Sequence, residues 1–541
     1  MTTIDTLPLD SFRSLLGPEA VVVDREALDR AETATFSTSQ AVPVILRPAD
    51  RDQVAGCLRI AHEHHLPVYP VSRGKNWGLG SSVPAADGCA LLDLGRLDRI
   101  LDFDEELGCV TVEPGVTFRR LAAFLEDRGS ELMVSQTGST PDSSLVGNAV
   151  ERGTGRGYPE DRFGSVGGLE VVLPTGEVLR TGFDRFPGAR TGGLHPWGVG
   201  PWLDGLFTQS NLGVVTRMTL WLTPRPACFQ PFFFRLGGKL GFAESIDRLR
   251  ALRWHGPRRA VFSLYNDYRM LSMMRQYPWE ESGGETPLSQ ALRARLRREY
   301  RVGPWNGSGA LYSAGRRQGR ADRRLLRRFL GPCADRLLVL DPLRARLLKG
   351  AERIYRRVRG ERGTPLADRS YYRNPLIGFS HDEGGTPLTY WRKRETRPER
   401  PDPDADGCGT IWFNPVVPWR GREVAAAVET VERISLAAGF EPNLGLRFIS
   451  DRCVDVTGAI VYDREIPGED ERAMAAHDEI LDALAGLGYL PSRLGIHSMG
   501  FPGVRETVYD GLLGRLKETL DPHGILAPRR YDSSLPSAPG E

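Results

Sequence analysis

Residues 70–82 read PVSRGKNWGLGSS, a loop with three glycines and Lys75 set between LPVY (66–69) and the apolar run CALLDL (89–94). Such a stretch offers successive backbone N–H groups to an anion. It matches neither G-x-G-x-x-G opening a helix nor a Walker loop ending in Gly-Lys-Ser/Thr. Taken alone, it fits an ordinary surface loop as well as a phosphate cradle, so its meaning must come from its surroundings.

Upstream, PADRDQVAGCLRIAHEHHLPVYPV (48–71) predicts a helix and then a strand that runs into the loop. Asp50 is placed to cap the helix, Gln53 completes a capping box, and Val54, Leu58 and Ala61 fall on one face. Downstream come a strand over Ala90–Leu94, the strand-like CVTVEPGVT, the amphipathic helix FRRLAAFLEDRG and a glycine-rich tract over 137–157. GGLEVVLPTGEVLRTG predicts a hairpin turning at Pro-Thr-Gly, and LGVVTRMTLWLTP predicts a strand stopping at Pro224 and Pro226. Beyond Pro226 four helical segments alternate with the strand-like AVFSLY and GALYSAG. A loop-rich stretch (363–406) then precedes strand, helix and strand between 409 and 463. The pattern is that of two α+β domains.

Composition limits the function classes. A chain of 541 residues exceeds what one core supports, and 71 basic against 69 acidic residues give no electrostatic commitment to nucleic acid. The arginine-rich helices between 286 and 362 carry interspersed acids and few aromatics, which fits a charged surface or a homodimer contact better than RNA binding. Seven scattered cysteines without a C-x-x-C pair fit reduced thiols in a cytoplasmic protein. The N-terminal stretch lacks the apolar core of a secretory signal, and no apolar run is long enough to span a membrane. HEHH (62–65) lacks a converging carboxylate or cysteine and reads as a solvated helix face, so no metal site is expected.

Taken in order, PVSRGKNWGLGSS, ALLDLGRLDRI, VTVEPGVTFRRL, LVGNAVERGTGRGYPEDRFG, GLEVVLPTGEVLRTG, GLFTQSNLGVVTRMTLWLTP, GTIWFNPVVP and LDPHGILAP resemble segments of the vanillyl-alcohol oxidase and p-cresol methylhydroxylase family of flavoproteins. The resemblance implies a two-subdomain FAD-binding domain of the p-cresol methylhydroxylase type over 1–226. It further implies an α+β cap over 227–499 and a segment, 500–541, returning to the FAD domain. The loop anion would be the pyrophosphate of FAD, held by Ser72, Arg73, Gly74, Lys75, Asn76 and Gly78. Gly147, Asn148, Val214 and Val215 would lie along the flavin and adenine portions.

The sequence departs from the family at the substrate. Alkylphenol-oxidising members hold a phenolate with tyrosines and an arginine, beside an acid near the flavin. Here the first tyrosine falls on Leu79, the second on Ser492 with its arginine kept as Arg493, a third on Arg156 near Tyr158, and the acid on Ser139, with Asp142 as a substitute. The histidine that tethers FAD in many members falls on Thr410, which implies dissociable FAD. A pocket with Arg156, Arg493 and His497 suits an anionic group such as a carboxylate, which guanidinium binds bidentately. His497 fits a general base or a structural imidazole.

The resemblance implies a flavin-dependent oxidase or dehydrogenase that takes a hydride from an activated C–H bond of a small organic substrate other than a simple 4-alkylphenol. Oxygen or another acceptor would receive the electrons. Two alternatives stand beside it: a desaturase or oxidative cyclase of a specialised biosynthetic pathway, and a flavin-binding scaffold without catalysis.

Overall fold

The computed structural model describes residues 7–359, 368–380 and 386–532. Near the N-terminus, strands Ile45–Leu46, Ala90–Asp93 and Val68–Val71 pair in parallel, with Val21–Val22 antiparallel at the edge. Parallel neighbours need a crossover. Helix Arg51–Glu63 supplies it, delivering the chain to Val68–Val71 and thence to the glycine loop. Asp50 caps this helix, accepting from the Gln53 N–H at 2.9 Å. The Gln53 side chain turns back to the N–H of Ala49 (2.7 Å), one residue before the expected capping-box position.

A second sheet is wholly antiparallel, in the order Ile100–Asp104, Cys109–Val112, Val214–Trp221, Val166–Val172, Val178–Arg180. The predicted hairpin is its last pair, with Val172 opposite Val178 and Glu170 opposite Arg180. Every residue of Val166–Val172 is buried, so this strand is covered on both faces.

The third sheet carries the cap. Its order is Ala334–Val339, Cys228–Leu236, Trp305–Ser313, Ala260–Asn266, Asn443–Arg447, Cys453–Asp463, Cys408–Phe413, with Val416–Pro418 also pairing onto Cys453–Asp463. Helices Phe242–His255, Arg316–Leu330, Gly421–Ala437 and Glu469–Gly486 contact one another and the sheet as one layer. Side chains alternate across the strands. Phe232, Leu264, Leu446 and Val456 enter the core, whereas Phe233, Tyr265, Arg447 and Asp455 point into a cavity.

Cys228–Leu236 is an interior strand that sequence reading does not anticipate, because Pro231 argues against one. The proline is tolerated because pairing with Ala334–Val339 begins only at Phe232. Of the loop-rich stretch 363–406, residues 363–367 and 381–385 lie outside the described residues.

Two joints hold cap and N-terminal domain together. On the outer cap strand, the N–H of Thr410 donates to Thr35 O (2.8 Å) and that of Trp412 to Gly78 O (3.1 Å). The Thr35 hydroxyl donates to Thr410 O (2.9 Å) and accepts from the Gly78 N–H (2.8 Å). At the C-terminal end, Val68 N–H donates to Ile525 O and Ala527 N–H to Val68 O, which lays the chain alongside the strand that feeds the glycine loop. That return is anchored by Lys517, buried and bonded to Asn211 O, Leu526 O and the Asp521 carboxylate, which also accepts from the N–H groups of Ile525 and Leu526.

Breaking a buried ion pair from one side strands the other charge, at a cost of about 3–5 kcal/mol. Asp521→Ala is therefore expected to lower unfolding stability by about that amount, read by chemical denaturation with far-UV dichroism. A loss under about 1 kcal/mol would show that Asp521 does not anchor the return.

Candidate active site

The glycine loop is one wall of a cavity of about 550 Å³ between the first two sheets and the cap sheet. Among the described residues, the N–H groups of Arg73 to Trp77 donate to no protein acceptor, whereas those of Gly78, Leu79 and Ser81 are engaged within the protein. Five consecutive free amides, with Arg73 and Lys75 among them, suit a diphosphate, so the residues present fit FAD. Gly74 has φ +59°, in the left-handed region. A Cβ there would lie 2.1 Å from Ser82 Oγ, so the obstacle to a larger residue is the loop's own far side rather than a phosphate.

The loop is fastened to the cap by Asp404, which accepts from Trp77 Nε1 (3.1 Å) and Ser81 Oγ (2.8 Å). Burial pushes its carboxyl up to about 7. Lys75 reaches Asp402 at 3.4 Å, and Ser139 Oγ donates to Lys75 O at 3.2 Å.

Ser72, Arg73, Gly74, Lys75, Asn76, Leu79, Ser139, Gly147, Asn148, Val214, Val215, Arg156 and Arg493 all line this cavity. Arg493 is fixed by its neighbours. Ser492 N–H donates to Asn414 O (2.9 Å), and Leu494 N–H donates to the Tyr531 hydroxyl (3.3 Å).

Three expected residues do not line it. Gly78 spends its N–H on Thr35 and its carbonyl on Trp412, so it joins domains instead of holding a phosphate. Tyr158 packs beside Tyr312 under the Arg259 guanidinium. His497 lies edge-on to Phe36 and His477, both ring nitrogens buried without a hydrogen-bond partner, and burial holds it well below its ordinary pKa. An imidazole so placed is neutral and out of reach of substrate. Asp142 cannot replace the family acid either: it is paired with Arg119 at 2.8 Å, outside the cavity.

The cap contributes residues that sequence reading does not single out. Tyr265, Arg269, Arg447 and Asp455 line the same cavity as Arg156. Arg269 follows Tyr265 by four residues, from the end of strand Ala260–Asn266 into the first turn of helix Asp267–Met274, whose N-cap Asn266 accepts from the Arg269 N–H. Strand pairing sets Gly445 opposite Tyr265 and Arg447 opposite Ser263. The phenol ring lies over Gly445, where a Cβ would come within 3.0 Å of it. Arg447 donates to Gly155 O at 2.8 Å, which draws the 153–157 loop and Arg156 inward.

Among the described residues, Arg156, Arg269 and Arg447 are in no ion pair, and Nε and Nη1 of Arg269 are buried without a partner. Burial lowers Arg269 to about 10 and lowers Arg156 as well. Burial raises Tyr265, but Arg156, Arg447 and Arg269 outweigh it and hold the phenol below its ordinary value. Burial raises Asp455, opposed by Arg447 and Arg493. Uncompensated guanidinium groups in a desolvated cavity make a site for an anion.

Elsewhere, the rings of His62 and His65 meet His523 at 4.3 and 4.1 Å. The converging acids Glu395, Asp463 and Glu465 surround the Lys393 ammonium.

Gly74→Val is expected to abolish retention of flavin through the clash with Ser82 and the forced left-handed backbone, while far-UV dichroism stays unchanged. Wild-type flavin absorbance in the purified variant would remove the loop from the cofactor site.

The chain matches the model of an FAD binding domain over residues 42–182. It is 48% identical over 533 residues to the 1'-carboxy-chondrochloren decarboxylase of Chondromyces crocatus, covering 98% of each chain. It is 28% identical to the flavoprotein subunit of 4-cresol dehydrogenase (hydroxylating) from Pseudomonas putida, over 97% of this chain and 95% of that one. The crystal structure of p-cresol methylhydroxylase with substrate bound superposes with a TM-score of 0.86 at 25% identity, covering 98% and 97% of the two chains. Free loop amides, a two-domain α+β frame and near-full-length likeness to these flavoproteins converge: the chain belongs to the vanillyl-alcohol oxidase and p-cresol methylhydroxylase family and is an FAD-dependent oxidoreductase.

Proposed function

We propose that this enzyme oxidises a small organic carboxylate and releases the carboxylate as CO2, leaving a carbon–carbon double bond. The observation that carries this reading is the trio Arg156, Arg269 and Arg447, three cavity guanidinium groups with no ion-pair partner among the described residues. The relative from Chondromyces crocatus, a decarboxylase by name, supports the same substrate class.

Among the described residues, no histidine lines the cavity, and its carboxylates are Asp455, which burial raises, and Glu151, paired with Arg530. Decarboxylation needs no proton acceptor. The C–COO⁻ bond breaks, its electron pair becomes the new π bond, and a hydride leaves the neighbouring carbon, so the substrate loses CO2 and two electrons. FAD, when bound, supplies the acceptor for that hydride. The arginines orient the carboxylate, while Phe233, Val261 and Met273 offer apolar surface to the rest of the substrate. Reoxidation requires oxygen or another acceptor.

We also propose that FAD is held without a covalent bond. Thr410, which the family resemblance sets at the tether position, is buried away from the cavity, and among the described residues no cysteine or histidine lines it.

Anaerobic mixing with arylpropanoic or N-acyl amino acids is expected to bleach the flavin with release of equimolar CO2 for an accepted acid, and the matching amides are expected to leave it oxidised. Bleaching without CO2 would reduce the reading to simple dehydrogenation. Arg447→Met, which keeps the bulk and deletes the charge, is expected to weaken binding of the accepted acid by about 2–4 kcal/mol, roughly 30- to 1000-fold, with flavin content unchanged. Unaltered affinity would remove Arg447 from the carboxylate site. Acid precipitation is expected to leave FAD in the supernatant, and a yellow pellet would reveal a tether.

A further inference from the structure

Three cations gathered in a cavity repel one another and need a counter-charge even when no substrate is present. The groups facing Tyr265 show where it comes from. Its own strand contributes Ser263, the paired strand contributes Arg447 with Gly445 beneath the ring, the following helix contributes Arg269, and the inward loop contributes Arg156. The remaining partner strand sets Asn306 opposite. Among the described residues, the charged groups acting on the phenol are these arginines and no carboxylate. Asp455 and Glu160 face Arg447, and Glu160, pushed by burial up to about 7, also neighbours Arg253 at 3.5 Å.

We propose that Tyr265 is the resident counter-anion of the arginine cluster, and that a substrate carboxylate replaces it in that role while the tyrosine takes up a proton from solvent. The inference rests on the carboxylate reading above and adds the residue that answers it. Where Tyr265 is ionised in the free enzyme, its phenolate neutralises part of the cluster, and the three arginines favour that form. When a carboxylate enters, one anion is exchanged for another: the phenolate oxygen gains a proton, the carboxylate gains the guanidinium contacts, and the charge of the site is conserved. When the carboxylate departs as neutral CO2 the exchange reverses. Tyr265 gives its proton back to solvent, so the arginines are not left bare. Tyr265 is thus a positioning residue that sets when the cluster accepts a carboxylate.

The sign of the pH dependence follows. Binding takes up a proton only where Tyr265 is ionised in the free enzyme. Carboxylate affinity is therefore greatest below the tyrosine's pKa and falls about tenfold per pH unit above it. Tyr265→Phe keeps the ring over Gly445 and removes the exchangeable proton, so its affinity profile is expected to be flat over that range.

The test uses the flavin-loaded enzyme in two parts. First, the tyrosinate absorbance near 295 nm is titrated in wild type, Tyr265→Phe and Arg447→Met, with flavin content as the check on folding. A tyrosinate present in wild type below the ordinary phenol range, absent from Tyr265→Phe and moved upward in Arg447→Met is the expected result. Superimposable wild-type and Tyr265→Phe curves would overturn the proposal. Second, calorimetry with 3-phenylpropanoate in two buffers of different ionisation enthalpy counts protons. Uptake of about one proton in wild type and none in Tyr265→Phe is expected, and 3-phenylpropanamide is expected to bind without uptake. Binding of 3-phenylpropanoate without proton uptake overturns the exchange while leaving the carboxylate reading intact. A shifted Tyr265 titration with no binding of 3-phenylpropanoate counts against both.

Discussion

Like charges held in a cavity of low polarity set the terms for this molecule. At an effective dielectric of about 20, two guanidinium groups several Å apart repel by roughly 2–4 kcal/mol, and Arg156, Arg269 and Arg447 make three such pairs. The backbone must hold them against that force. Each has its own restraint: Arg447 through strand register and its bond to Gly155 O, Arg269 through a capped first turn, Arg156 through its N–H to Gln136 O. Asp455 and Glu160 act on Arg447, but none of the three arginines is in an ion pair among the described residues, and other buried acids are spent elsewhere. Glu441, for instance, is spent on the fully buried Arg392. The repulsion is thus converted into affinity for an anion.

Chemistry is divided between the two halves of the chain. The N-terminal half offers amides and glycines, which suit a diphosphate, and one guanidinium, Arg156, to the anion site. The cap offers side chains from alternate positions of one sheet, so its cavity face changes without disturbing the core face behind it. This division explains how a frame shared with phenol-oxidising flavoproteins can carry a different pocket: the cavity-facing side chains of the cap vary independently of the frame, and here they include Arg269 and Arg447.

The glycine loop, the crossover helix, the hairpin and the antiparallel run to Pro224 were legible because each is local, a cap, a turn or a period within about twenty residues. The cofactor followed from those same segments. The arginine cluster was not legible. Tyr265 and Arg447 are neighbours only through the pairing of Ala260–Asn266 with Asn443–Arg447, and nothing near either residue announces that pairing. His497 misled for the opposite reason: it lies in a segment that does reach the cavity, through Arg493 and Ile496, but its own ring turns away toward Phe36. Sequence gives proximity along the chain, whereas side-chain direction depends on packing partners far away.

The bonds from Thr35 and Gly78 to Thr410 and Trp412 have one more consequence. Cys408–Phe413 is the last strand of the cap sheet, and its outward N–H groups would otherwise form an open edge able to recruit another chain. The residues covering that edge include the end of the loop that faces the diphosphate site. Cofactor site and sheet edge are therefore joined through one loop, so a substitution that displaces Gly78 disturbs the diphosphate-facing amides and the cover of the β-edge together.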